Sequence, residues 1–369
     1  MERDLTNPYE NLENSSYWRT GVADVHATRM EKIYSKKFAI GFDDKISAAG
    51  SCFAQHISRE LRNNGYNTLD VEPLPAWLEA DVAKNYGYGI YSARYGNVYT
   101  SRQLLQLVQS SLSGNVDQRD VWEKGGRYYD AHRPSVEPDG LDSPEEVVFH
   151  RRHHLAQVSK LLVDTDVLVF TLGLTETWEL KADGTVYPTC PGVIAGVFDP
   201  EKYRFLNLNF NDVYQDMLEV RRLLMGVNPD IRMLLTVSPV PLTATASNDH
   251  VLVATMRSKS ILRAVCAQLY DEFDNVDYFP SYEIITAPNA RSFFFEPNLR
   301  SVTAAGVDVV MRSFFSEHPV RKQRDLPPEE SLSPKPADTA MELRRRRMRR
   351  QREKSDVVCE EALLEAFNK

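Results

Sequence analysis

The sequence predicts a three-layer α/β/α sandwich, in which helices cover both faces of a parallel sheet, followed by a disordered basic C-terminal tail. Apolar strands alternate with amphipathic helices between residues 45 and 315, which is the pattern of a parallel sheet with helical crossovers. Residues 166–171 (DVLVFT) are almost continuously apolar, as expected for a strand buried on both faces. Proline and charge dominate from residue 319, so we assign 1–318 to one domain and 319–369 to a linker and tail.

The elements of this sandwich are predicted from apolar periodicity and from capping residues. Strands are predicted at 45–49, 166–171, 231–237 and 276–279. Helices are predicted from Gly50 to Gly65, and at 100–112, 144–162, 211–225, 255–273, 303–315 and, in the tail, 357–367. Residues 178–187, with Asp183-Gly184 in the middle, predict a β-hairpin. Ligands bind beyond the carboxyl ends of such strands, so three loops are expected to meet at one crevice: 50–52, 173–176 and 238–239.

Composition and charge exclude several functional classes. The formal net charge is −8, which argues against a nucleic-acid binder. The chain lacks the roughly 18 consecutive apolar residues of a transmembrane helix, and its N-terminus has no secretory pattern, so a cytoplasmic location is expected. The 4 cysteines form no CxxC pair, so neither a disulfide framework nor a zinc ribbon is predicted. No metal and no other cofactor are expected.

The segment Gly50-Ser-Cys-Phe-Ala54 has the arrangement of a nucleophile turn. A glycine permits a tight turn from strand to helix, and the next side chains then lie at a helix N-terminus. Free backbone N–H groups and the helix dipole favour negative charge there, which would acidify a hydroxyl or thiol and stabilise an oxyanion. Ser51 and Cys52 are both candidate nucleophiles, and capping or packing remains the structural alternative.

This segment, in the context AAGSCFAQHISREL, resembles the signature of the GSCFA family. Other segments are also similar to that family: 171–178, 238–241, 258–262 and 278–283. The resemblance implies a flavodoxin-like sandwich related to the SGNH hydrolases, which are esterases and acyltransferases. The SGNH motif Gly-Asp-Ser places Cys52 at the nucleophile position if its glycine is matched to Gly50, whereas a shift by one residue places Ser51 there.

The resemblance also implies an oxyanion site. Gly173-Leu-Thr-Glu176 lies where SGNH proteins have Gly-x-Asn-Asp, so Thr175 stands in place of the asparagine that donates an amide N–H, and Glu176 in place of aspartate. A further backbone donor is expected from Gly89 or Gly96. The tyrosine-rich stretch around them includes Arg94, which suits sugar stacking and anion contact, although such clusters also serve packing.

The expected catalytic base is missing from its usual place. The family pattern Asp-x-x-His corresponds here to Asn298 and Ser301. We considered three alternatives: that another histidine is the base, that a glutamate with a raised pKa is, or that catalysis has been lost. The candidates are His56, on the face of Cys52 at i+4; His250; Glu176; and Glu296. His153 and His154 are predicted at the surface of the helix over residues 144–162.

These observations predict an SGNH-like acyl esterase or O-acyltransferase acting on an acylated saccharide or a surface-polysaccharide precursor. The alternative is a non-catalytic carbohydrate-binding or scaffold protein that has lost the triad. The basic cluster in residues 341–354 (MELRRRRMRRQREK) could contact an acidic partner, an anionic membrane surface or RNA, or else form a solvated tail.

Overall fold

The computed structural model describes residues 7–319 and 359–367, except for the side chains of residues 80 and 81. Its strands are β1 (Ile46–Gly50), β2 (Val121–Lys124), β3 (Arg127–Asp130), β4 (Val167–Leu172), β5 (Glu176–Leu180), β6 (Val186–Tyr187), β7 (Tyr203–Asn207), β8 (Arg232–Val237) and β9 (Val276–Tyr278). Its α-helices are α1 (Ala54–Asn63), α2 (Ala80–Ala83), α3 (Ser101–Ser113), α4 (Pro144–Asp164), α5 (Phe210–Val227), α6 (Val251–Glu272), α7 (Ser281–Thr286) and α8 (Ala304–Glu317).

A central sheet of four parallel strands organises the molecule, in the order β1-β4-β8-β9. Thr68 forms an isolated parallel bridge with Ile46 on the open side of β1. If this bridge is counted as a rudimentary second strand, the order becomes 2-1-3-4-5, that of flavodoxin-like sheets. All six residues of β4 are buried, as the apolar run predicted.

Helices cover both faces of the sheet, so the predicted three-layer α/β/α sandwich is confirmed. Side chains from α3, α4, α5 and α6 pack on one face, against Leu168 and Phe170 of β4. Those of α1, α7 and α8 pack on the other face, against Val167 and Val169. Successive side chains of β4 point to opposite faces of the sheet, so this strand contributes to the hydrophobic core on each face. Helix starts were predicted well where a side chain caps the helix, as Thr100 does for α3 and Ser143 for α4.

Two antiparallel additions extend the domain. The predicted hairpin over 178–187 is present as β5 and β6, and β7 pairs with the other edge of β5. The hairpin of β2 and β3 was not predicted from the sequence. Its turn at Gly125-Gly126, where both residues have positive φ, is a recognisable hairpin signal.

The structure refines one expectation and corrects another. Within the tail, the described segment Cys359–Phe367 contains the helix predicted over 357–367, as a 3-10 helix over residues Glu360–Phe367, and Glu360 is buried against the domain. His154 was expected at the surface of α4, but it is fully buried and bonded to Glu72, whereas His153 is exposed. The predicted linker and basic cluster, within 320–358, lie outside the described residues. Among the residues that the structure describes, no helix is long and apolar enough to cross a membrane.

Candidate functional site

The GSCFA turn lies at the carboxyl end of β1, where the sequence placed it. Gly50 has φ +139°, and a Cβ there would lie 2.5 Å from the Thr171 carbonyl oxygen of the neighbouring strand. Only glycine fits this close approach and this backbone conformation. The Ser51 N–H donates to the same oxygen over 3.1 Å, and α1 begins three residues later. The nucleophile candidates are therefore held between a strand end and a helix N-terminus.

Ser51 and Cys52 face different surroundings. The Ser51 hydroxyl is buried and has no hydrogen-bond partner among the described residues. A Cβ on Gly173 would lie 2.9 Å from the Ser51 Cβ, so Ser51 is enclosed by the next strand end. The Cys52 side chain instead packs in a small cluster with Tyr99, Leu174, Leu242 and Ala254. Its Sγ lies 3.0 Å from the Sγ of Cys359, so Cys52 faces the crevice that the C-terminal segment enters.

A hydrogen bond from the tyrosine-rich stretch holds the backbone of the turn in place. The Tyr91 hydroxyl donates to the Ser51 carbonyl over 3.0 Å and to the Asn97 side chain over 2.5 Å. Within residues 7–319 and 359–367, the backbone N–H groups of Cys52 and Phe53 have no acceptor. Two adjacent N–H groups at a helix start can bind an oxyanion, so Cys52 and Phe53 offer candidate donors for an oxyanion that forms at the turn.

Lys259 lies beside this turn and was not among the predicted site residues. It projects inward from α6, is 1% exposed, and its Nζ donates to the Gly173 carbonyl over 2.5 Å. Burial lowers the pKa of Lys259 to about 8, while the charges of Glu361 and Cys52 oppose that shift. A buried amine with such a pKa can exchange protons near neutral pH.

The residues of the Gly173–Glu176 loop make structural contacts. The Thr175 hydroxyl, expected as an oxyanion donor, donates to the Asn207 side chain over 2.7 Å. The Thr175 N–H donates to Ser258. Glu176 is half-buried and accepts from the Thr245 hydroxyl over 2.7 Å. Burial raises the pKa of Glu176, the direction that a carboxylate base requires.

The two candidate histidines lie apart from the thiol. The His56 ring lies tilted against that of Phe53, with centroids 5.7 Å apart, and its Nδ1 accepts from Arg59 over 2.9 Å. Burial and the Arg59 charge lower the pKa of His56 to about 4. His250 is exposed and caps α6, accepting from the Leu252 N–H over 3.2 Å. Among the described residues, neither histidine hydrogen-bonds to Ser51 or Cys52, so the structure does not bring together a Cys–His or Ser–His pair.

The loop that corresponds to Asp-x-x-His forms its own turn. The Asn298 side chain accepts from the N–H groups of Arg300 and Ser301, and donates to the Ser301 hydroxyl over 3.0 Å. The two residues at the expected aspartate and histidine positions are thus bonded to each other. Arg300, between them, reaches inward, and its guanidinium lies 3.6 Å from the Glu361 carboxylate.

Of the three residues predicted in the tyrosine-rich stretch, one lies at the crevice. A Cβ on Gly96 would lie 3.5 Å from the Glu360 carboxylate. Gly89 has no such neighbour; its carbonyl accepts from Arg62. Arg94 pairs with Glu137 at 2.6 Å and stacks on Tyr88, so its guanidinium has a structural role in the described fold.

The crevice is occupied by the C-terminal segment Cys359–Phe367. The buried Glu360 carboxylate accepts from the Asn97 amide, from the Ser135 hydroxyl over 2.5 Å and from the Tyr99 hydroxyl over 2.8 Å. Glu361 faces Arg300, and burial together with the neighbouring Cys359 raises the pKa of Glu361 to about 8. The crevice thus presents hydrogen-bond donors and two cationic side chains, Arg300 and Lys259, to an acidic segment.

The Cys52 thiol donates a hydrogen bond to the Cys359 sulfur across their 3.0 Å contact. The hydrogen bond to Cys359 and burial both raise the pKa of Cys52, and the nearby glutamates raise it further. The hydrogen bond donated by Cys52 lowers the pKa of Cys359 to about 7. While the segment is in place, Cys52 is therefore held in its protonated form.

Two signals could have identified the residues that sequence reasoning missed. Lys259 lies on the buried stripe of α6 with Thr255, Ser258 and Leu262, and a lysine on an apolar stripe is unusual. Asn97 and Tyr99 belong to the tyrosine-rich stretch that was singled out without them. Nothing local indicates that Glu360 would contact them, because the partners lie more than 250 positions apart.

Comparisons with known proteins identify the family. In the described part of the chain, no group of three or more His, Cys, Asp or Glu side chains could hold a metal ion. No curated protein matches the sequence. Residues 45–314, which include every strand of the central sheet together with the Gly50–Ala54 turn, match the GSCFA family. This chain belongs to the GSCFA family.

Proposed function

We propose that this chain is an acyl esterase or O-acyltransferase of SGNH-like design, with Cys52 as its nucleophile. The observation that carries the proposal is the position of the Cys52 thiol. It lies at the N-terminus of α1, faces the crevice, and neighbours both free backbone N–H groups and the buried amine of Lys259. Ser51, the other candidate, has its hydroxyl sealed beneath Gly173.

In the proposed reaction, neutral Lys259 accepts the Cys52 proton as the sulfur attacks the carbonyl carbon of an ester. The oxyanion is held by the N–H groups of Cys52 and Phe53. The intermediate collapses to a thioester on Cys52, and Lys259 returns the proton to the departing alcohol. Water or a second hydroxyl then attacks the thioester, which releases the acyl group and restores the thiol. A lysine in the place of the histidine is a known variation of this chemistry.

The substrate class is proposed from the family resemblance alone. It is an acylated saccharide or a surface-polysaccharide precursor, as expected from the sequence. The described crevice offers hydroxyl, amide and cationic groups from Tyr99, Asn97, Lys259 and Arg300. These groups suit a polar substrate with oxygen acceptors.

The test is to locate the acyl group on the protein. The chain is incubated in reducing buffer with p-nitrophenyl acetate and mapped by mass spectrometry, as wild type and as Glu360→Ala, which frees the crevice. An acetyl group is expected on the Cys52 peptide, present in Ser51→Ala and absent in Cys52→Ala. The control Cys190→Ala should label as wild type does. Acetylation of Ser51, or of neither residue in the folded Glu360→Ala chain, would contradict the proposal.

A non-catalytic binding function is the second candidate, and the Asn298–Ser301 turn favours it. In place of an aspartate and a histidine the loop holds two uncharged side chains that bond to each other. A protein of this kind would bind the ester without turnover. It would give no burst of p-nitrophenol in any variant, whereas the proposed enzyme releases one equivalent on acylation.

A further inference from the structure

The C-terminal segment Cys359–Phe367 occupies the crevice through specific polar contacts. The Glu360 carboxylate has three donors, from Asn97, Tyr99 and Ser135, and is 3% exposed. These donors come from two separate loops of the domain. A buried carboxylate requires such compensation, because its desolvation is otherwise costly. The fit therefore identifies a receptor site for this acidic segment.

Contacts of Arg300 and of Cys359 fix the orientation of the segment. Arg300 lies 3.6 Å from Glu361 and 3.9 Å from Glu365. The Cys359 side chain packs on the cluster around Cys52, and the Tyr99 hydroxyl lies 3.9 Å from its sulfur. These contacts bring the Cys359 sulfur to 3.0 Å from that of Cys52. A disulfide has a sulfur separation of about 2.05 Å, so the two sulfur atoms would approach by about 1 Å on bonding.

We propose that Cys359–Phe367 is a removable plug of the GSCFA crevice, and that a disulfide between Cys52 and Cys359 locks it in place. The consequence for catalysis rests on the proposed function of Cys52. With the plug bound, the thiol is covered and the approach of an ester is blocked. With the plug released, Cys52 loses both its sulfur partner and the two neighbouring carboxylates.

The locking step uses a low-molecular-weight disulfide, such as oxidised glutathione, as the oxidant. The thiolate of Cys359, which is only half-buried, attacks one sulfur of that disulfide; a mixed disulfide forms and one thiolate leaves. Cys52 then loses its proton and attacks the Cys359 sulfur, which releases the second thiol. Two cysteine thiols are oxidised, one small disulfide is reduced to two thiols, and the two protons pass to them.

The first experiment maps disulfides in the full chain after treatment with oxidised glutathione. A non-reducing digest is expected to contain the Cys52 and Cys359 peptides joined, in protein that remains monomeric on a non-reducing gel. Cys190 and the buried Cys266 are the internal controls and should stay unpaired. A covalent dimer would assign the plug to a second copy, and pairing of Cys359 with Cys190 would overturn the proposal.

The second experiment measures docking without the disulfide. In Cys359→Ser, iodoacetamide should alkylate Cys52 slowly, because the glutamates still anchor the segment. Adding Glu360→Ala should raise that rate about tenfold or more, since a hydrogen-bonded buried carboxylate is lost. The matched control adds Glu201→Ala, an exposed glutamate in the turn before β7, and should leave the rate unchanged. Equal alkylation rates in all three variants would refute the plug.

These readouts separate the plug from the enzyme activity. Disulfide formation and alkylation require no ester and no turnover. If both succeed while p-nitrophenyl acetate leaves no acetyl group on Cys52, the plug stands and the proposed function fails. If acetylation succeeds at one rate in wild type and in Glu360→Ala, the function stands and the plug fails.

Discussion

Lys259→Met tests whether a charged amine is buried beside the Cys52 turn. Lys259 is 1% exposed, and burial lowers its pKa from 10.5 to about 8. Each pKa unit corresponds to 1.36 kcal/mol, so the ammonium form destabilises the fold by about 3 kcal/mol below pH 8. Methionine keeps an unbranched stem of similar volume. It gives up the hydrogen bond to Gly173, which is worth about 1–3 kcal/mol with the carbonyl left unpaired.

The sign of the effect depends on pH. At pH 7 the substitution removes the cost of burying the ammonium group, about 3 kcal/mol, and loses the hydrogen bond to Gly173, about 1–3 kcal/mol. Lys259→Met is therefore expected to be as stable as wild type or up to about 2 kcal/mol more stable. Between pH 8 and pH 10.5 the unfolded chain binds more protons than the folded one at this residue. Wild-type stability should therefore rise by about 3 kcal/mol relative to the variant across that range.

The assay is urea unfolding of wild type and Lys259→Met from pH 7 to pH 10.5, with the difference in free energy as the readout. Groups common to both proteins cancel in that difference. Lys160→Met, at an exposed position of α4, is the control and should give a flat difference. A flat difference for Lys259→Met as well, or a loss of several kcal/mol at pH 7, would refute the reasoning. Loss of ester turnover with retained stability would further support Lys259 as the base.

Three further predictions concern packing and titration. Gly173→Ala should lower the free energy of unfolding, measured in urea, by about 1–3 kcal/mol, because its Cβ would lie 2.9 Å from the Ser51 Cβ. The control Gly226→Ala lies in α5, where nothing is within 4 Å of the added Cβ, and should raise that free energy by about 0.5–1 kcal/mol. Ser51→Ala should be neutral or stabilising by up to about 1 kcal/mol, because the buried hydroxyl has no partner among the described residues; a loss above about 2 kcal/mol would reveal a missed hydrogen bond. Burial lowers the pKa of His56, His154 and His318 to about 4, so their folded forms prefer the neutral ring. The free energy of unfolding should therefore fall as the pH drops from about 6.5 to about 4. This fall should be smaller in His154→Gln than in the exposed control His153→Gln. An equal pH dependence in the two variants would count against a contribution from the buried His154 ring.

The central layer of the fold was predictable because each of its elements follows a local rule. β4 is continuously apolar, Thr100 and Ser143 cap their helices, and Gly50 occupies a turn that only glycine fits. Such features depend on residues a few positions apart, which is the range that periodicity and capping describe. The boundaries differ by a few residues, as for α6, predicted from 255 and starting at Val251.

Side chains whose environment is set by distant elements could not be placed from local pattern. A lysine or a histidine on a helix is usually exposed, yet Lys259 and His154 are both buried. Each has a polar partner from another loop, Gly173 for the lysine and Glu72 for the histidine. Both positions also lie on the apolar stripe of their helix, and that stripe was the only local evidence of burial.

The continuation of the strand favours Cys52 over Ser51 as the proposed nucleophile. Ser51 still takes part in the parallel ladder, donating its N–H to Thr171, so its side chain has the alternating orientation that a strand imposes. That orientation turns it beneath Gly173, and the next residue points into the crevice. Matching Gly50 to the glycine of Gly-Asp-Ser places the nucleophile two residues later, at Cys52. The sequence alone left this register and the one shifted by one residue open, and the backbone geometry favours the register that places the thiol at the nucleophile position. The proposed disulfide with Cys359 also requires a thiol at position 52, because a serine there could not form it.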